Sequence, residues 1–72
     1  MTIQELKQIH NEIVDQSTVI SALSAQWYRA LTIDERMKAA IDLENHANML
    51  RIAAERLATG TRKSYTEESH ED

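Results

Sequence analysis

The stretch Ala30-Leu31-Thr32 separates two runs of regularly spaced apolar residues. In the first run, Leu6–Trp27, apolar residues recur at alternating steps of three and four, and Gln16 fills the single polar gap. In the second run, Ala40–Leu57, alanine and leucine alternate at the same steps. Steps of three and four place side chains along one stripe of an α-helix. The sequence therefore predicts two helices joined by a turn near residue 31.

The two stripes do not fit one continuous helix. Continued beyond the turn, the first stripe reaches Ile41 and then becomes polar, with Glu44, Asn48 and Arg51. A reversal of the chain instead lets the stripes face each other, which predicts an all-α fold, an antiparallel two-helix hairpin. The facing pairs of this predicted seam are Leu6 with Leu57, Ile9 with Ala54, Ile13 with Leu50, Gln16 with Ala47, Ile20 with Leu43, Leu23 with Ala40, and Trp27 with Arg36.

Helix-capping patterns set the predicted bounds of the helices. Thr2-Ile3-Gln4-Glu5 and Thr32-Ile33-Asp34-Glu35 both have the threonine and glutamate of a capping box, in which each side chain bonds the backbone N–H of the other residue. Gly60, the only glycine, suits a left-handed residue at a helix end. We therefore expect helices over about 2–30 and 33–59 in a hairpin domain of residues 1–60. Residues 61–72 contain no aliphatic side chain, which predicts a disordered acidic tail.

Composition limits the chemistry and the location of the protein. The 72 residues include no cysteine and no proline, and the net charge is -4. Disulfides and thiolate metal sites are therefore excluded. The longest apolar run falls far short of the roughly 20 residues that cross a bilayer. Because Glu5 and other polar residues interrupt the first residues, we expect no secretory signal and a cytoplasmic location.

Apolar residues beside the two stripes predict a second copy of the chain. They are Val14, Val19 and Ala22 on the first helix and Met37, Ala39, Ile41, Met49, Ile52 and Ala53 on the second. A lone hairpin would leave most of them in water, whereas a two-fold dimer would bury large side chains worth roughly 1.5–3 kcal/mol each. We therefore expect a homodimer arranged as a four-helix bundle.

The residue pattern does not predict catalysis. No nucleophile is spaced to meet a base and an orienting group, and a single glycine cannot build a phosphate-binding loop. We therefore expect neither enzymatic activity nor a cofactor. Asp42 and His46 have the four-residue spacing of half a metal site, but the second pair of ligands is missing. A metal-dependent helical bundle that uses Asp42 and His46 is therefore only a third hypothesis, behind protein binding and nucleic-acid binding.

Three features of the predicted hairpin bear on its contacts. Gln16, polar within the seam, predicts a residue that fixes helix register at some cost in stability. Trp27 opposite Arg36 predicts a cation–π contact that closes the turn end. An exposed patch beside the turn is the predicted contact for a protein partner. The residues of that predicted patch are Tyr28, Arg29 and Leu31.

The length, the hairpin and the alternating alanine and leucine of the run Ala40–Leu57 resemble the small plasmid copy-control RNA-binding protein, a dimeric four-helix bundle. The resemblance implies the same architecture. That family binds RNA through a basic face of its first helix, whereas the first helix here has Lys7, His10 and Arg29 among three carboxylates. The basic residues cluster instead near the end of the second helix, as Arg51, Arg56, Arg62 and Lys63.

In size, acidity and helical character the chain also resembles the short accessory proteins encoded in the early regions of temperate enterobacterial phages. That resemblance implies a protein without a cofactor that binds and redirects a host protein in the host cytoplasm. Our first hypothesis is therefore a non-enzymatic regulatory or adaptor protein that acts through protein–protein interaction. The alternative is a nucleic-acid-binding helical dimer that uses the basic end of the second helix.

Overall fold

The computed structural model describes the backbone of residues 2–71 and the side chains of residues 2–65. It contains two helices, α1 (Ile3–Arg29) and α2 (Ile33–Glu71), and residues 2–71 include no strand. The helices run antiparallel and pack along their length, so the hairpin is a rod of 60 × 14 × 13 Å. The predicted all-α hairpin is confirmed. Neither helix is long and apolar enough, over the described part of the chain, to cross a membrane.

The start of α1 has the predicted capping box. The backbone N–H of Glu5 donates to Oγ1 of Thr2 at 3.2 Å, and the backbone N–H of Thr2 donates to the Glu5 carboxylate at 3.4 Å. Two N–H groups that the helix itself cannot satisfy thus find side-chain acceptors.

The start of α2 differs from its predicted capping box in one bond. As predicted, the backbone N–H of Glu35 donates to Oγ1 of Thr32, at 3.1 Å. The Glu35 carboxylate, however, accepts from the backbone N–H of Leu31 at 3.2 Å rather than from that of Thr32. The reason is the tight reversal, since Ala30 has an extended backbone and its N–H still bonds the carbonyl of Trp27. Glu35 therefore ties the turn itself to α2.

The second helix does not end at Gly60. α2 continues to Glu71, so residues 61–71 extend it by about 16 Å beyond the start of α1. This differs from the expected helix end near residue 59 and disordered tail over 61–72, and residue 72 lies outside the described residues. Gly60 is buried and has no positive φ. Its role is therefore close packing between the helices, where a Cβ would take up space, and not a left-handed helix end.

The inner face of α2 is rotated from the predicted one. His46 bonds Gln16 across the seam, in the place predicted for Ala47. Ala53 is buried, whereas Ala47 and Ala54 are exposed. The predicted pairing of Gln16 with Ala47 is therefore wrong by one residue on α2.

The core of the hairpin is thin. On α1, Leu6 and Ile9 are buried, and on α2 the buried apolar residues are Ala39 and Ala53. No side chain among residues 2–65 is completely buried. The other members of the predicted seam are half-buried, namely Ile13, Gln16, Ile20, Leu23, Ala40, Leu43, Leu50 and Leu57, apart from the exposed Trp27, Arg36, Ala47 and Ala54. Two helices alone therefore cover only part of the apolar stripe.

Candidate protein-interaction surfaces

A polar pair lies in the middle of the seam. Nδ1–H of His46 donates to Oε1 of Gln16 at 2.7 Å, and both side chains are partly buried. A bond of this length between two half-buried groups satisfies both and links the midpoint of α1 to the first half of α2. This site positions the helices relative to each other and has the geometry expected of a register-fixing residue.

The proposed metal half-site does not gain further ligands from the fold. His46 directs Nδ1 at Gln16, and Asp42 lines a groove near the turn together with Arg29 and Lys38. No group of three histidine, cysteine, aspartate or glutamate side chains is placed to hold a metal within the described part of the chain. The geometry therefore gives the third hypothesis no support.

The turn end carries four strongly exposed apolar side chains. The exposed fractions are 94% for Leu31, 80% for Tyr28, 74% for Ile33 and 58% for Met37. Ile33 and Met37 are four residues apart, so they lie on one face of the first turns of α2. We call these four residues the turn-end patch. Apolar side chains concentrated in so short a segment are typical of a contact surface.

Two of the three predicted contact residues belong to this patch, and the third does not. Arg29 instead lines a groove of about 380 Å³ on a different side of the turn, with Glu35, Lys38 and Asp42. Its Nε donates to the carbonyl of Ala25 at 3.3 Å, which holds the guanidinium along α1. Sequence reasoning missed Ile33 and Met37 as members of the patch, although their four-residue spacing after the capping threonine was a usable signal.

The aromatic contact at the turn end has the predicted form. The guanidinium carbon of Arg36 lies 5.2 Å from the centroid of the Trp27 ring. That distance is within the range of a cation–π interaction. The contact connects the last turn of α1 to the first turn of α2, and Trp27 remains partly exposed beneath it.

Two of the cationic side chains of α2 each form an ion pair with a carboxylate. Arg51 pairs with Glu55 at 2.8 Å, and Arg56 pairs with Glu12 of α1 at 3.5 Å. Both pairs are exposed and contribute little to stability. They do, however, interrupt the positive charge of this end. The neighbouring open groove, about 440 Å³ in volume, combines Arg56 and Lys63 with the acidic Glu55 and with uncharged residues, and is not a continuous basic surface.

Comparison with known proteins adds no functional assignment. No protein-family model matches the chain, and no curated protein or solved structure gives a significant match. The candidate surfaces are therefore judged on their own chemistry.

Proposed function

We propose that this chain is a non-enzymatic regulatory or adaptor protein that acts as a homodimer and binds a protein partner through the turn-end patch. The observation that carries the proposal is the exposure of Tyr28, Leu31, Ile33 and Met37 within ten consecutive residues. The fold uses none of these four side chains as its core. An aromatic and three aliphatic side chains fit a partner with an apolar surface of its own.

Homodimerisation is supported by the incompleteness of the hairpin. Six large residues of the seam, Ile13, Ile20, Leu23, Leu43, Leu50 and Leu57, are only half-buried. A chain of this size gains little stability from a single thin core. A second hairpin laid on the open side of the seam would complete it as a four-helix bundle.

Protein binding is favoured over nucleic-acid binding by the charges. The chain is acidic overall, and Arg51 and Arg56 are each engaged by a carboxylate. Nucleic-acid affinity depends on cations that are available to phosphates. These properties fit a protein-binding function better than a nucleic-acid-binding one. The chain would then act in the cytoplasm on another protein, as a phage accessory protein acts on a host protein.

The proposal is tested by affinity capture with matched variants. Tagged chain is expressed in the organism that encodes it, and retained proteins are compared by mass spectrometry. The double variant Tyr28→Ala with Leu31→Asp should lose the specific partner. Ile52→Asp, which changes a half-exposed apolar residue on another part of α2, should retain it. Helical circular dichroism should be the same for both variants.

Two outcomes would contradict the proposal. Equal capture by the Tyr28→Ala/Leu31→Asp variant and the natural chain would show that the partner does not bind through the turn-end patch. Recovery of nucleic acid alone, with gel retardation that declines steeply between low and moderate salt, would favour the nucleic-acid alternative. The variant Arg29→Glu should retain the partner, because Arg29 lines the groove and does not belong to the turn-end patch.

A further inference from the structure

The two long sides of the hairpin differ in charge. Arg56 of α2 pairs with Glu12 of α1 at 3.5 Å on one side of the seam. Met49 is seven residues before Arg56 and Asp42 is seven residues before Met49, so these three residues lie along the same side of α2. Two grooves open on this side, and ionisable residues line both. We call this side the charged flank, and its ionisable residues include Glu12, Asp15, Lys38, Asp42 and Arg56.

The opposite side of the hairpin has no ionisable residue along its middle. Counted round α2 from His46, Met49 is about 60° toward the charged flank, and counted round α1 from Gln16, Glu12 is about 40° toward it. Eight residues lie about 40–100° from the same two reference points in the other direction. We call them the uncharged flank: Ile13, Ser17, Ile20 and Ser24 on α1, with Leu43, Ala47, Leu50 and Ala54 on α2.

The cations at the edges of the uncharged flank are engaged within the chain. Arg36, toward the turn, has its guanidinium carbon 5.2 Å from the centroid of the Trp27 ring. Arg51, on the outer edge, pairs with Glu55 at 2.8 Å. An apolar surface placed on the uncharged flank would therefore not have to displace water from a free charge at its centre.

Four large residues of the uncharged flank form a cluster around one point. Ile13 and Ile20 are three residues before and four residues after Gln16, and Leu43 and Leu50 have the same spacing about His46. Because Gln16 bonds His46, all four lie within about one helical turn of that bond, and all four are half-buried. We call them the central quartet. Ser17 and Ala47, between its members, are small and leave room for larger side chains.

The position of the central quartet suits a second copy of the chain. A cluster centred on one point coincides with itself after a two-fold rotation through that point, whichever way the second copy runs. The uncharged flank is about 40 Å long, from the 27 residues of α1, and about 20 Å wide, from two packed helices. Its area of about 800 Å² is what each partner buries in a stable interface of standard size.

The charged flank is less suited to the same contact. A second copy there would bury the ion pair of Arg56 with Glu12, and the loss of hydration can exceed the attraction between the two charges. The hairpin nevertheless needs a cover, because none of the side chains of residues 2–65 is completely buried. A second copy is present wherever the chain is made, so it can cover every molecule.

We propose that a second copy of this chain packs on the uncharged flank, central quartet against central quartet, and that the charged flank of both copies stays in water. This rests on the proposed function, whose homodimer it assigns to one side of the hairpin. Eight large aliphatic side chains then form the core of the dimer. The two bonds between Gln16 and His46 border that core and fix the level at which the copies meet.

Single carboxylates placed on the two flanks test the proposal. Ala47→Glu and Ser24→Glu should each raise the dimer dissociation constant roughly tenfold or more, because the dimer would bury an unpaired charge. The matched controls are Asn45→Glu and Gln26→Glu, each exposed, two residues away and about 200° round the same helix. They should leave the dissociation constant unchanged in sedimentation equilibrium. Equal constants for the four variants and the natural chain, or a natural chain that is monomeric at high concentration, would overturn the proposal.

Thiol protection gives a second test that adds no charge to the protein. The chain has no cysteine, and Ser17→Cys is nearly isosteric, so the variant should fold and dimerise. Its thiol should react slowly with a charged reagent above the dissociation constant and faster after dilution below it. The thiol of Asn45→Cys, on the charged flank, should react at one rate throughout. Equal and concentration-independent rates for both thiols would overturn the proposal even if the glutamate variants failed to fold.

The outcomes separate this proposal from the proposed function. If Asn45→Glu and Gln26→Glu dissociate the dimer and Ala47→Glu and Ser24→Glu do not, the homodimer stands and its assignment to the uncharged flank is wrong. If the uncharged flank behaves as expected while the Tyr28→Ala/Leu31→Asp variant captures the same proteins as the natural chain, the dimer contact stands. The turn-end patch is then wrong.

Discussion

Oε1 of Gln16 lies 2.7 Å from Nδ1 of His46, so a polar pair occupies the midpoint of the apolar seam. A shift of either helix by one turn would separate the two groups by about 5 Å. It would leave both without a protein partner in a half-buried position, which costs more than the bond itself contributes. The pair therefore selects one register among several that the alanines and leucines would accept.

We expect Gln16→Leu to lower the free energy of unfolding by about 1 kcal/mol, because it leaves the His46 ring N–H without its acceptor. The double variant Gln16→Leu with His46→Leu should regain that loss, since two apolar residues need no partner. Urea unfolding followed by circular dichroism measures the cycle. Gln26→Leu, a change at an exposed position of α1, is the control. Additive losses for the two single variants would contradict a direct bond.

Substitutions at Gly60 distinguish close packing from a helix end. Gly60 is buried within α2, so both Gly60→Ala and Gly60→Asn should destabilise the hairpin, Asn more than Ala, by about 1–3 kcal/mol. At a left-handed helix end the order would be reversed, because Asn tolerates that conformation better than Ala. Urea unfolding gives the order. Thr59→Ala and Thr59→Asn at the exposed neighbouring position are the matched controls.

The contact of Arg36 with Trp27 gives a spectroscopic prediction. Arg36→Gln should cost about 0.5–1 kcal/mol, as expected for a partly exposed cation–π contact. It should also change the emission of Trp27, the only tryptophan. Lys38→Gln removes an exposed cation from the same helix and should leave the emission unaltered. The same emission spectrum for Arg36→Gln and the natural chain would contradict the contact.

The start of α2 depends on Thr32 and Glu35 in different ways. Thr32→Ala removes the acceptor of the Glu35 N–H and should cost about 1 kcal/mol, whereas Thr32→Ser keeps that acceptor. Glu35→Ala removes the acceptor of the Leu31 N–H, and Glu35→Gln should recover part of the loss. A loss of 1 kcal/mol should lower the Tm by roughly 4–8 °C for a domain of this size. Equal Tm values for Thr32→Ala and Thr32→Ser would exclude the cap.

The hairpin and its turn could be predicted because spacing and capping chemistry point to the same place. The rotation of α2 could not, for a reason visible in the residues. Alanine occurs twice in succession at Ala39-Ala40 and at Ala53-Ala54. Two rotations of α2 that differ by one residue therefore both bury an alanine in each of these two layers of the seam. Only the layer with His46 and Ala47 differs, and there the hydrogen bond to Gln16 prevails over the burial of a methyl group.

The candidate contact surface was predicted in part for a similar reason. Tyr28 and Leu31 are near the turn in any hairpin, and the structure exposes both. Arg29, however, is adjacent in sequence to Tyr28 and therefore about 100° away on the helix. Glu35, Lys38 and Asp42 line the groove that it joins. The prediction grouped Tyr28, Arg29 and Leu31 because they are close in the sequence. In the structure, Arg29 lies apart from the other two because its side chain has a different direction.

The residues of α1 that the hairpin buries best, Leu6 and Ile9, lie at its open end, farthest from the turn. Their contacts with α2 form only after most of the chain has closed into a loop, which is the most demanding step in conformational entropy. Contacts near the turn require only a short segment of the chain to become ordered, but they remove little apolar surface from water. Neither end of the molecule is then stable without the other. The two helices should consequently form and melt together, in one cooperative transition.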